Sequence, residues 1–408
     1  GETFQYQLYF PDPGIYWYHP HHREDVQQEL GLAGNMVVES AESGYYNTVA
    51  HEEVVMLDDL LLGPEEFVPF GDESANYMLM GRFGNVFLTN GEPEYGLEVT
   101  AGDVVRFHFT NASNTRTFNL SFRPTDTDTG TPLPIKVVGS DVSRFERESL
   151  AESIVLAPAE RYTVEVLFPE GGTWSLANRV QGINHRQGLF LEEETILGRV
   201  TVSGATPLST NESVSGAHAF EMLRTHEDVV TDIDKYRHLF DAPPDLELVM
   251  SLKVDDLPMV VEQSMNLDWV YFNPVEWTGT MPVMNWATSG NEVSWILRDS
   301  ATGAENNDID WRFQVGDVVR VRVKNDRSAF HAMQHPLHIH GQRFLVLEQN
   351  GVRNENMVWK DTVLLPAGST TDILLELANP GSWMVHCHIA EHLESGMKFV
   401  FDVEGTLE

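Results

Sequence analysis

The sequence predicts an all-β protein built from Greek-key β-sandwich or barrel domains in tandem. Three observations predict it. Short stretches of period-two alternation are separated by frequent Gly, Pro and Asn turns, helical periodicity is scarce, and one strand pattern recurs along the chain. The pattern has a head, Gly102-Asp103-Val104-Val105-Arg106, repeated as Gly316-Asp317-Val318-Val319-Arg320. After the first head, Val105, Phe107 and Phe109 alternate with Arg106, His108 and Thr110. After the second, Val319, Val321 and Val323 alternate with Arg320, Arg322 and Lys324. Such alternation marks a strand with one buried face.

The pattern also has a tail, and it occurs three times. Phe4 to Gly14, Tyr162 to Gly172 and Thr371 to Gly381 each read as an apolar-rich strand ending at a glycine turn. An aromatic follows two residues later in every copy: Tyr16, Trp174 and Trp383. Two heads and three tails imply two complete domains preceded by the end of another. The expected boundaries are 1–46 for the C-terminal part of a first domain and 47–202 for a second. A Ser/Thr/Gly-rich linker with an acidic continuation takes 203–245, and a third domain takes 246–408.

Composition narrows the functional classes. The 408 residues carry 62 acidic against 26 basic groups, a formal net charge of −36, and Arg far outnumbers Lys. Nucleic acid is excluded as a partner, because its phosphates would be repelled. No run approaches the roughly 18 apolar residues of a membrane span. An acidic, Lys-poor surface is expected of a protein that stays hydrated in concentrated salt, a halophilic character. The single cysteine, Cys387, rules out an internal disulfide.

Histidines then locate the chemistry. Five residues past its glycine the first tail reads His19-Pro20-His21, and at the same offset the third tail reads His386-Cys387-His388. Residues i and i+2 of a strand share a face, so each histidine pair can point at one metal cluster while Cys387 faces away towards another. In His335-Pro336-Leu337-His338-Ile339-His340-Gly341, His338 and His340 likewise share a face and His335 can reach the cysteine side. His392 and Met397 follow Cys387. Two imidazoles, a thiolate and a weak thioether form the trigonal set that selects copper. The middle tail is an internal control, with Ala177 and Arg179 at the matching offsets and Asn119 and Ser121 on the facing strand. The fold therefore does not require the histidines. His22, His51, His108, His185, His218, His226, His238 and His331 lack such spacing and read as surface or satisfied polar positions. The pairs Met78 and Met80, and Met281 and Met284, read as core filler rather than soft ligands. Of the sequons at Asn111, Asn119 and Asn211, the last lies in the expected linker.

Trp17-Tyr18-His19-Pro20-His21, His335 to Gly341, and His386-Cys387-His388-Ile389-Ala390-Glu391-His392 with Met397 resemble three of the four copper motifs of the multicopper oxidases. The resemblance implies cupredoxin-like domains and a laccase-like oxidase with one type 1, one type 2 and two type 3 coppers. It assigns His335, Cys387, His392 and axial Met397 to type 1 and His338 to type 2. His19 and His388 fall to one type 3 copper, and His21, His340 and His386 to the other. The remaining motif is absent from this sequence, so six of eight cluster histidines are present and the protein's own N-terminal segment is an expected partner. The implied reaction couples one-electron oxidation of phenols or aryl amines at the type 1 site to four-electron reduction of dioxygen to water. Electrons pass through Cys387 to its histidine neighbours. Glu391 is expected to relay protons. A metallo-oxidase of Cu(I), Fe(II) or Mn(II), or a copper-sequestering protein, is the alternative. Export from the cytoplasm is expected of either.

Overall fold

The computed structural model describes residues 2–406 apart from 73, 126–129, 185–188, 205–217, 258, 260, 262–272, 281–284 and 287. His185, Asn211, Met281 and Met284 lie outside the described residues. Nearly all the regular structure is strand, arranged as two similar pairs of sheets.

In the first pair, a six-stranded sheet runs in the order Val86–Thr89, His51–Leu60, Val104–Asn111, Arg161–Leu167, Ile135–Ser140, Ser143–Ala151. It faces a five-stranded sheet ordered Ile154–Leu156, Phe118–Pro124, Gly172–Asn184, Leu189–Ser203, Tyr95–Thr100. Val55, Phe107, Phe109, Phe122, Val164 and Phe168 fill the core between them. In the second pair, a seven-stranded sheet is centred on Val318–Asn325 and Thr370–Glu376. Its partner sheet is ordered Arg312–Gln314, Lys398–Glu404, Gly381–Cys387, His335–Ile339, Thr362–Leu365.

The repeat seen in the sequence is a repeat in space. Both head glycines take positive φ, 95° at Gly102 and 94° at Gly316, where a side chain would be strained. Their amides bond the carbonyls of Phe168 and Leu377 at 2.7 and 2.8 Å. The next aspartates, Asp103 and Asp317, each accept at 2.8 Å from the backbone amide three residues back. Each head strand lies antiparallel to its tail strand and parallel to the strand that opens its unit. Each ends in a buried asparagine, Asn111 or Asn325, whose side chain bonds carbonyls on both sides. Asn111 is thus committed to the interior.

Three expectations differ from the fold. Residues 4–10 form no strand, and Phe4, Tyr6 and Tyr9 are exposed, because among the described residues no neighbour supplies a hydrogen-bonding ladder. Only Gly14–Tyr18 pairs, with Gly34–Val38. Val104–Asn111 is buried on both faces, not one. On the second face Arg106 pairs with Glu165 and His108 bonds Glu52 and Thr163, so those polar groups are paid for by partners. In the stretch read as linker, Glu227–Asp234 is a helix that packs Val229 and Ile233 against Val142, Leu345, Leu347 and Trp359. Among the described residues no helix is long and apolar enough to cross a membrane.

Candidate metal centre

Strand alternation builds two sites back to back. Gly381–Cys387 pairs with His335–Ile339 so that His338 lies opposite His386 and Leu337 opposite Cys387. The strand side chains turn alternately to the two sheet faces, which sends His386 one way and Cys387 the other. The His388 amide bonds the Pro336 carbonyl at 2.7 Å, holding the chain in register past the strand end. Gly341 closes the histidine strand at φ 67°; a Cβ there would sit 2.2 Å from the Trp383 ring.

On the cysteine side, Cys387 Sγ lies 3.5 Å from His335 Nδ1 and 3.7 Å from His392 Nδ1, and the two nitrogens are 3.2 Å apart. A transition metal bound at about 2.3 Å to sulfur and about 2.0 Å to nitrogen separates those atoms by about 3.5–3.8 Å, so the donors already stand at ligating distances. The short helix Ala390–Glu394 supplies His392, and Met397, fully buried, follows it. The Ile389 amide donates to Sγ at 3.4 Å, which suits a thiolate. Burial raises the Cys387 thiol and pushes His335 down to about 3, so the metal-free site holds a neutral thiol and neutral imidazoles. Binding a cation must displace the thiol proton.

On the other side six imidazoles converge. His340 Nε2 and His386 Nε2 are 3.0 Å apart, His388 Nε2 and His19 Nε2 3.3 Å. His21 is edge-on to both His340 and His386, and His338 neighbours His340, His386 and His388. Burial lowers His19 to about 3 and His21 to about 4, and drives His340, His386 and His388 well down. These five are thus neutral ligand bases. At these Nε2 separations two ring nitrogens can share either a proton or a metal cation. Tetrahedral ligation at about 2.0 Å would set them about 3.3 Å apart, so the donor set fits a metal. Backbone and hydroxyl groups fix some rings: His338 Nδ1 lies 3.0 Å from both the Asp361 carbonyl and Thr362 Oγ1, and His386 Nδ1 lies 2.9 Å from the Cys387 carbonyl.

Residues 275–406 and 1–43 match multicopper oxidase sequence profiles. Laccase-3 of Botryotinia fuckeliana is 24% identical over 98% of this chain and 88% of its own length. An iron transport multicopper oxidase of Schizosaccharomyces pombe is 22% identical over 98% of this chain, which spans 62% of that protein. Among solved structures, the Campylobacter jejuni multicopper oxidase, described as a metallo-oxidase, superposes with a TM-score of 0.63 at 22% identity, covering 97% of this chain and 72% of that one. The Aquifex aeolicus enzyme McoA gives 0.64 at 19%, covering 97% and 76%. These superpositions establish a shared cupredoxin fold. This chain belongs to the multicopper oxidases.

Copper is the metal this family implies, and the geometry brings together all nine His and Cys positions singled out in the sequence, with Met397 buried nearby. The middle unit has the equivalent strands without the donors: Ser121 lies opposite Ala177, and the Asn119 side chain bonds the Arg179 carbonyl. Met78 and Met80 are fully buried core residues, as expected. Glu391 is buried and accepts from Asn114 at 3.3 Å and Thr115 at 3.1 Å; burial, with Asp25 nearby, pushes it up to about 8. Sequence reasoning missed Trp295, whose ring stacks on His392 at 4.1 Å and meets His335 edge-on, anchored by its indole N–H to the Met78 carbonyl. It also missed Glu24, which lies beside His19 and His21. A carboxylate three residues past a His-x-His was the available signal for Glu24; Trp295 offered none.

Proposed function

We propose that this chain acts as a laccase-like oxidase, taking electrons from a small reductant of the phenol or aryl amine class and passing them to dioxygen. The observation that carries the reading is the covalent junction His386-Cys387-His388, which places a sulfur site and an imidazole cluster on adjacent residues of one strand. Cys387, His335, His392 and Met397 hold the type 1 copper, and His338 the type 2 copper. His19 with His388, and His21 with His340 and His386, hold the type 3 pair. When bound, copper supplies one-electron redox chemistry at the first site and four-electron dioxygen reduction at the second. The protein keeps water from the thiolate, orients the imidazoles and, at Glu391, holds a proton for delivery between Asn114 and Thr115. We place domains at 47–202 and 246–408, joined by 203–245, and the protein outside the cytoplasm.

One observation favours a second reading, a metallo-oxidase: a net charge of −36 concentrates cations at the surface. It is supported by similarity to an iron transport oxidase and to a metallo-oxidase.

Copper-loaded protein should be intensely blue and consume oxygen with a phenol; Cys387→Ser should lose colour and turnover together. A visible band retained in that variant overturns the type 1 assignment. Oxygen uptake with Fe(II) or Cu(I) but not with phenols or aryl amines would select the second reading.

A further inference from the structure

The Glu24 side chain is fully buried, and neither carboxylate oxygen has a hydrogen-bond partner. It opens the short helix Glu24–Gln27, and its own amide is tied to Glu394 at 3.0 Å, so the backbone is anchored while the carboxylate points inward. Around it stand three imidazoles of the cluster, each presenting Nδ1: His21 at 3.3 Å, His388 at 3.7 Å and His19 at 3.9 Å. The Nδ1 atoms of His19 and His388 are themselves buried without a partner. Their Nε2 atoms face each other across the cluster, 3.3 Å apart. For Nε2 to offer a lone pair, the ring proton must sit on Nδ1, and a buried N–H needs an acceptor. His338 and His386 find theirs in backbone carbonyls. His19, His21 and His388 have Glu24.

We propose that Glu24 is a positioning residue for the imidazole cluster. One carboxylate accepts from the Nδ1–H groups of His19, His21 and His388, fixes their tautomer, and supplies negative charge behind cationic metal. This rests on the copper reading above. The orphaned oxygens and nitrogens are a cost to the metal-free protein, offset when a cation draws the rings into register with the carboxylate.

The test uses copper-loaded full chain, with Glu24→Gln and Glu24→Asp beside the parent. Copper per chain, the rate of its loss to a chelator, the blue band and the melting temperature of the metal-free form are measured. For Glu24→Gln we expect an unchanged blue band and a metal-free melting temperature equal to or above the parent's, since the buried carboxyl it replaces makes no hydrogen bond there. Copper held outside the blue site should be lost roughly 10–100-fold faster. Glu24→Asp, keeping the charge at shorter reach, should fall between. Parent-like copper retention in Glu24→Gln overturns the proposal while leaving the copper reading intact. A parent that holds no copper beyond the blue site overturns both. If Glu24→Gln loses the blue band as well, Glu24→Asp decides: faster release supports the role, parent-like release refutes it.

Discussion

Arg161 is a demanding test of how the two sheet pairs are joined. Its guanidinium is fully buried and makes four hydrogen bonds: two to the Asp361 carboxylate at 2.5 and 2.6 Å, one to the Ile15 carbonyl and one to the Ala159 carbonyl, both at 2.9 Å. Three segments distant in sequence thus meet on one side chain, and Asp361 is held well below the usual carboxylate range, with the Arg161 charge overcoming burial. Replacing Arg161 with Leu removes every one of these bonds and leaves a buried carboxylate with its main counter-charge gone. Removing one partner of such a pair costs about 3–5 kcal/mol. Two abandoned carbonyls at about 1–3 kcal/mol each give an independent count of about 2–6 kcal/mol, which overlaps that range. At about 2–4 °C per kcal/mol for a unit of 150–250 residues, melting should fall by about 6–20 °C. Scanning calorimetry on metal-free Arg161→Leu measures this. Arg161→Leu/Asp361→Leu should recover part of the loss, because the stranded charge is removed too. A loss below about 1 kcal/mol, or a double variant no more stable than the single, would refute the reasoning.

Three further outcomes are expected. Burial alone would raise Glu148, but His226, Arg224 and Lys136 outweigh it and hold the carboxyl down to about 2. A depressed carboxylate stabilises the fold above its unfolded value of 4.5, and that contribution, on the order of 3 kcal/mol, is lost as pH falls through about 2. Acid unfolding between pH 4.5 and 2 should therefore be shallower in Glu148→Gln; superposable acid limbs would count against it. In the proposed type 1 site, Met397→Leu keeps the volume and removes a weak electron donor, so redox titration should show a higher potential with the blue colour retained; a lower one contradicts an axial role. With a net charge of −36, repulsion should ease as salt shortens the Debye length to about 3 Å at 1 M, raising the melting temperature; a flat or falling series would remove the halophilic reading.

Much of this was legible in the chain itself, for a physical reason. Period-two alternation and glycines at positive φ are local properties, so the two heads and the tails at Tyr162 and Thr371 could be read directly. The same alternation told which face each histidine and Cys387 would take. Phe4 to Phe10 has the pattern but no ladder, because a strand exists only beside another strand. The burial of Arg106 and His108 depends on Glu165 and Glu52, each more than fifty residues away, which no local pattern reveals. Trp295 was hidden for the same reason, since it gains its place from Met78 and His392, whereas Glu24 stands three residues from His21 and was within reach of a local reading.

The opposed facing of Cys387 and its histidine neighbours also limits how this sequence can change. One residue inserted or deleted between Val385 and His386 would turn the two strand residues that follow to the opposite faces, carrying sulfur into the imidazole cluster and an imidazole into the apolar core. Point substitutions here are graded in their effect, whereas changes of length are all or nothing. The turns around Asn350-Gly351 and Thr302-Gly303 stand under no such parity and can lengthen freely. Lineages of this protein should therefore differ in the length of their loops while the spacing around Cys387 stays invariant.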